Sequence, residues 1–156
     1  MNKGFIVFTP TYNRSKTLQR VYESLKKQTY KGFKWLIIDD GSTDNTKDIV
    51  EVFIKENVLA IEYHYKANGR KYSAMRLAFQ LADSKYLLAI DDDDELTPDA
   101  VETFKNEWDR IVHAGLEDQF AEVAGLTYYS DGSLYGNFYF PEDVQYIDSS
   151  WHEMVL

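Results

Sequence analysis

Residues 86–95 read YLLAIDDDDE, an almost wholly apolar run that ends abruptly in four consecutive aspartates and a glutamate. A run this short has the length of a buried strand, although periodicity alone does not separate it from a piece of buried helix. In a strand, side chains alternate, so Asp91 and Asp93 point one way and Asp92 and Asp94 the other. Carboxylates this close repel one another unless a cation or hydrogen-bond donors offset them. Open α/β sheets carry their binding crevice at the carboxyl ends of the strands. An acidic cluster in that place suits Mg²⁺ or Mn²⁺, which take oxygen ligands, with ligand phosphates as the other partner. A solvated acidic turn before a helix is the plain alternative.

Upstream, residues 5–9 (FIVFT) read as a strand that Pro10 halts, followed by a polar connection of Thr11, Tyr12 and Asn13. A helix is expected from Arg14 or Ser15 to Gln28, with Ser15 as cap and Leu18, Val21, Tyr22 and Leu25 on one face. A second strand, residues 34–38, opens into Asp39-Asp40-Gly41-Ser42-Thr43-Asp44, where Gly41 permits a tight exit. The next helix is expected near Asp44 behind a Thr43 cap, with Ile49, Val50 and Phe53 inward, and a third strand over 59–63. Two strand–helix units in succession predict a mostly parallel sheet with right-handed crossovers.

Residues 66–71 (KANGRK) form the concentrated positive patch of the chain. They precede a helix expected over 72–82, with Ala74, Leu77, Ala78 and Leu81 on its buried face. A helix start combined with positive charge favours phosphate; an ordinary basic loop on an acidic protein is the alternative. After the acidic run, Thr97 reads as an N-cap and Pro98 as the first residue of a helix reaching about Val112, with Val101, Phe104, Trp108 and Ile111 inward. Residues 122–129 and 134–140 read as a small antiparallel hairpin around a turn at 130–133. The chain then ends in Met154-Val155-Leu156 with no settled period and no polar tail, which reads as one domain, residues 1–156, cut before its end.

A length of 156 residues is enough for one domain with a real core. The net charge of −9 argues against non-specific binding to a nucleic-acid backbone, and no basic cluster contradicts that sign. Without cysteine, disulfides and thiolate metal sites are excluded. The start MNKGFIVFTP has too short an apolar core for a secretory signal, and no run reaches transmembrane length, so the expected place is the cytoplasm, at most loosely attached to a membrane.

Three polar groups therefore follow successive apolar strands: Thr11-Tyr12-Asn13, Asp39-Asp40 and the four aspartates from Asp91. In a parallel sheet these ends share one edge and line one cleft. Tyr12 offers a face for stacking on a base, and aspartates accept from base N–H groups or ribose hydroxyls.

With these residues in hand, the chain resembles the N-terminal nucleotide-sugar-binding region of glycosyltransferase family 2, inverting enzymes of the GT-A fold. The matching motifs are FTPTYNR at 8–14, SLKKQTY at 24–30, WLIIDDGSTDNT at 35–46, the segment 68–78 and AIDDDDELTP at 89–98. The resemblance implies transfer of a sugar from a nucleoside-diphosphate sugar, a UDP-sugar first of all, to a glycan or lipid-linked acceptor with Mn²⁺ or Mg²⁺. Carried over, it implies that Thr11 and Tyr12 line the nucleotide pocket, with Tyr12 against the base, that Asp40 contacts the base, and that Asp39 orients the loop or helps at the base. Arg70 or Lys71, and less so Lys66, would approach the phosphates. Asp91 would contact the ribose or a metal-bound water, Asp93 would be the principal metal ligand, Asp92 the variable middle position and Asp94 a loop support. Bacterial capsule, exopolysaccharide and lipopolysaccharide assembly are the usual settings of the family.

The catalytic base of an inverting enzyme must be a carboxylate near the acceptor. Asp118, Glu142, Asp143, Asp148 and Glu153 qualify by type, and His152 as a weaker choice, but none sits in a matching motif. The base is therefore expected beyond Leu156. A degenerate donor-binding domain without turnover is the alternative reading. A nucleotidyltransferase is disfavoured because TPTYNR has no glycine for a triphosphate loop, and the absence of G-x-G-x-x-G excludes a dinucleotide oxidoreductase.

Overall fold

A computed structural model describes residues 4–119, 123, 125 and 128–133. The chain divides into two compact units, one ending at Glu102 and the other beginning at Thr103. The first unit holds strands β1 (Phe5–Thr11), β2 (Phe33–Asp39), β3 (Ala60–Tyr65) and β4 (Leu87–Ala89). Between them run helices α1 (Leu18–Lys26), α2 (Thr46–Glu56) and α3 (Arg70–Leu81). The strands form one sheet in the order β3-β2-β1-β4, with every pairing parallel. The mostly parallel α/β sheet expected from the strand–helix alternation is the fold.

Burial follows the alternation of the two central strands. On one face, Ile6 and Phe8 of β1 and Leu36 and Ile38 of β2 pack with Ala74 and Ala78 of α3. Two alanines let the helix approach the sheet closely, and Met75, Leu77 and Leu81 close the margins. On the other face Trp35 meets Phe53 of α2 and Tyr22 of α1, each with ring centroids 6.1 Å away, while Tyr22 and Phe53 stack at 4.0 Å. The Trp35 indole N–H donates to Thr9 Oγ1 at 3.0 Å, so the one polar atom of this aromatic cluster's largest ring is satisfied.

Pro10 does not end β1. The strand continues to Thr11, which pairs with Asp39. Even-numbered residues of β1 face β4: the Ile6 N–H donates to Tyr86 O, and the Ile90 N–H returns to Phe8 O. The ladder with β4 stops at Phe8 and Ala89, so the donor that Pro10 lacks would have pointed past the last pair. A central strand tolerates the proline for that reason.

Helix starts also differ from expectation. Residues 14–17 form a turn, the Ser15 N–H donates to Asp44, and α1 begins only at Leu18 behind Thr17. α2 begins at Thr46 behind Asn45, because the Thr43 and Asp44 amides donate to Asn13 Oδ1. Ile49 is only half-buried, whereas Val50 and Phe53 are core. α3 starts two residues before its expected place, at Arg70. α4 (Ala100–His113) starts beyond Pro98, with Thr97 O accepting the Ala100 N–H; Val101 and Ile111 are buried, Phe104 and Trp108 half-buried.

In the second unit a short 3-10 turn spans Glu117–Gln119 and includes the exposed Asp118. The tight turn at 130–133 is present: Tyr129 N–H donates to Ser133 O at 2.8 Å, and Gly132 takes φ +84°. Most of its two expected hairpin strands lies outside the described residues, as do Glu142, Asp143, Asp148, His152 and Glu153.

Candidate functional site

The order β3-β2-β1-β4 means that the chain builds outward from β1 on one side and then returns to its other side. The carboxyl ends of β1 and β4 therefore flank a topological switch point, where open α/β sheets bind ligands. Thr11 and Tyr12 lie on the β1 side of it, the aspartates from Asp91 on the β4 side, and Asp39 and Asp40 at the neighbouring end of β2. All the predicted site residues of the first two motifs and the acidic run thus meet at one sheet edge.

The two aspartates after β2 are already engaged. Asp39, fully buried, accepts the Ser42 N–H and the Tyr63 hydroxyl, each at 2.7 Å. Burial first, and this carboxylate second, push the Tyr63 phenol well above its ordinary pKa. Asp40 accepts Lys66 Nζ, and the Gly69 N–H reaches its two oxygens at 3.0 and 3.2 Å. Lys66 also donates to Ala67 O at 2.6 Å and Ser73 Oγ at 2.8 Å. Asp40 thereby ties the basic loop 66–69 to the sheet edge. Gly41 makes room for that loop: its φ is +89°, and a Cβ there would lie 2.8 Å from Asn68 N.

Beyond β4 the acidic run is a turn rather than a strand, with Asp94 N–H donating to Asp91 O at 3.2 Å. Strict alternation of the four side chains is therefore replaced by a different division. Asp92 is buried, while the Asp91 and Asp93 side chains are 46% and 45% exposed. Burial pushes the Asp92 carboxyl up; the adjacent Thr11 hydroxyl, the Arg14 charge and the Tyr12 amide work against that. Burial and then the charges of Asp91 and Asp93 push Asp94 up. Lys71 Nζ donates to both oxygens of Asp91, at 2.6 and 2.8 Å. The Arg14 guanidinium lies 3.6 Å from Asp92 and 3.7 Å from Asp93, and Arg20 donates to the Asp93 carbonyl at 2.8 Å.

These donors fit a hard divalent ion. Asp91 and Asp93 present carboxylate oxygens to solvent. No group of three or more His, Cys, Asp or Glu converges on one point among the described residues. Mg²⁺ characteristically takes one or two carboxylates and completes its shell with substrate phosphates and water, so two carboxylates are a sufficient protein contribution.

Tyr12 is 47% exposed beside this turn, its ring open for stacking. Arg70 begins α3 at φ +68°, a left-handed backbone that a non-glycine residue adopts at a cost. Asn13 takes φ +53°, which asparagine tolerates well, and its Oδ1 gathers the amides of Thr43 and Asp44. Arg14, Ser73 and Gln28 are the residues near this edge to which the sequence alone assigns no individual role, and Asn13 has a specific bracing role beyond its place in the cleft. Apart from bonds within seven positions, their partners are 29 or more positions away along the chain, and no local pattern reveals such pairs.

The profile of Glycosyl transferase family 2 matches residues 6–131. Glycosyltransferase GlyG of Streptococcus pneumoniae is 29% identical over 140 residues, which are 90% of this chain and 44% of GlyG. S. aureus TarS 1-349 in complex with UDP-GlcNAc matches with a TM-score of 0.59 at 30% identity, over 70% of this chain and 31% of that one. The mannosyltransferase PcManGT of Pyrobaculum calidifontis, in complex with GDP-Man and Mn²⁺, matches with a TM-score of 0.55 over 58% of this chain and 28% of its own. At 23% identity that last likeness is one of fold. The chain spans less than half the length of GlyG.

Proposed function

The chain belongs to glycosyl transferase family 2 and has the GT-A fold, and from that premise we propose that it is the donor-binding part of an inverting, metal-dependent glycosyltransferase. The donor is a nucleoside-diphosphate sugar, with UDP as first choice, since S. aureus TarS, 30% identical, is a neighbour solved with UDP-GlcNAc. The observation that carries the reading is the meeting of Thr11, Tyr12, Asp39, Asp40, Asp91 and Asp93 at the switch point of the sheet.

In this reading Tyr12 stacks on the base, and Thr11 lines the same pocket. Asp40 holds the loop that closes over the nucleotide and leaves a lone pair for the base edge. Asp39 braces the same strand end. Asp91 would take the ribose or a metal-bound water, and Asp93 with Asp91 would hold Mn²⁺ or Mg²⁺. The ion would supply electrostatic stabilisation of the departing diphosphate. Arg70 and Lys71 add positive charge on the same side, Arg70 making no ion pair among the described residues.

The acceptor hydroxyl attacks the anomeric carbon from the face opposite the diphosphate, a C–O bond forms as the bond to the diphosphate breaks, and a carboxylate takes the hydroxyl proton. We place that base outside residues 1–156, in the acceptor-binding part. The acceptor is a glycan or lipid-linked glycan. No helix among the described residues is long and apolar enough to cross a membrane; a cytoplasmic site, at most peripheral to the membrane, is part of the proposal.

Calorimetric titration of UDP with excess MnCl₂, then with EDTA, tests the reading. Micromolar binding lost both with EDTA and in Asp93→Ala is expected. No binding of UDP, GDP or dTDP under any condition would sink it.

A further inference from the structure

Asp91 is proposed above to serve the divalent ion, yet both of its oxygens hold the Lys71 ammonium. A cation bound directly to this carboxylate would stand beside the ammonium that already holds both of its oxygens. Placed side by side, they would repel at close range. Arg14 also stands 3.6 Å from Asp92 and 3.7 Å from Asp93, but as an ion pair without the two short hydrogen bonds that Lys71 makes to Asp91.

Lys71 is built to move. Its side chain is 60% exposed and rides on the first turn of α3, one residue after the left-handed Arg70. The four-carbon stem and point charge of a lysine allow it to exchange partners without moving the backbone. Lys66 is the contrast in the same loop, with a side chain only 22% exposed and pinned by Asp40, Ala67 and Ser73.

We propose that Lys71 is a built-in counter-ion that competes with the divalent cation for Asp91, and that the diphosphate of the nucleotide draws it away. The inference rests on the donor-binding reading given above. Cation binding and diphosphate binding are then coupled through one side chain, and the coupling is reciprocal. Without nucleotide, Lys71 holds the acidic turn neutralised; with nucleotide, the ammonium turns to a phosphate and Asp91 is released to the ion.

The test is titration of Mn²⁺ into the full chain, followed by the paramagnetic signal of the free ion. Lys71→Gln is expected to bind Mn²⁺ alone about fivefold more tightly than the unchanged protein, the scale of an exposed ion pair. Lys71→Arg, which keeps the charge, should stay near the unchanged value. Lys55→Gln, an exposed lysine on α2, controls for net charge and should show no gain. For the unchanged protein, UDP should strengthen Mn²⁺ binding and uridine should not.

Equal or weaker Mn²⁺ binding by Lys71→Gln overturns the inference, as does a matching gain in Lys55→Gln or no Mn²⁺ binding by any form. If the unchanged protein binds UDP with Mn²⁺ while Lys71→Gln shows no gain, the donor reading stands and the counter-ion role falls. If Lys71→Gln gains but no form binds UDP, the donor reading falls, and the proposed release by diphosphate falls with it.

Discussion

The side-chain carbonyl of Gln28 accepts the backbone N–H of Val101 at 3.0 Å, across 73 positions of the chain. The same carboxamide donates to Thr97 O at 2.7 Å and to Ser24 O at 3.2 Å. Gln28 is 1% exposed, so these bonds form out of water. They close the end of α1 onto the turn that leads out of the acidic run, and so help to set where that run sits.

Gln28→Leu keeps the volume but leaves the Val101 N–H and a Thr97 carbonyl valence unmet. Buried groups in that state cost about 1–3 kcal/mol each. A loss of about 3 kcal/mol in denaturant unfolding is expected, with an unchanged m-value. Gln28→Glu retains an acceptor for Val101 but turns a buried carboxylate oxygen toward the Thr97 and Ser24 carbonyls, so it should lose at least as much.

Gly41→Ala sets a methyl 2.8 Å from Asn68 N at a φ of +89°. Backbone strain and a clash with backbone both oppose it, for a loss of about 2 kcal/mol. Because the displaced loop carries the Gly69 N–H that meets Asp40, UDP affinity should fall in the same variant. Thermal unfolding and UDP titration on one preparation check both outcomes.

Arg70→Gly acts in opposite directions on stability and binding. The φ of +68° is relieved, and part of that gain is returned through the looser unfolded chain, leaving about 0.5–1 kcal/mol of net stabilisation. The variant also removes the guanidinium proposed to face the diphosphate, so UDP binding should weaken. A protein that becomes more stable while binding less is the expected result; loss of both would contradict the assignment of strain.

Asp44 carries an acid-dependent contribution. Burial alone would raise its carboxyl, but donations from Thr46 and Ser15 outweigh that and hold it at about 2, below the ordinary 3.8. A carboxyl whose folded pKa is depressed stabilises the fold above its unfolded pKa and loses that contribution as pH falls through the folded value. The stability difference between the unchanged protein and Asp44→Asn should therefore be constant above about pH 5 and shrink between about pH 4 and 2. Paired urea titrations across that window read it directly.

Much of the first unit was legible in advance. The spacing of Leu18, Val21, Tyr22 and Leu25 marks a helix face, and all four are buried. Apolar runs that end in Thr11, in Asp39-Asp40 and in the aspartates from Asp91 mark parallel strands ending at one edge, and they do. Helix starts were misplaced because Asn13 and Asp44 recruit backbone groups from the other loop, which no cap pattern within a few residues can announce. Pro10 looks like a strand stop in isolation, but its missing donor matters only on the side where a neighbour continues, and β4 is too short to do so.

The order of elements, the parallel sheet and the residue types at its carboxyl edge can be read from the chain alone, because hydrophobic periodicity and strand-end chemistry are local properties. How each carboxylate is engaged follows from long-range packing: Asp39 accepts from Ser42 and Tyr63, Asp40 from Lys66 and Gly69, and Asp91 from Lys71, while Asp92 is buried and Asp93 faces solvent. Equivalent aspartates acquire different roles because a carboxylate's state depends on the donors and water around it, and most of those donors arrive from 20 or more residues away in the chain.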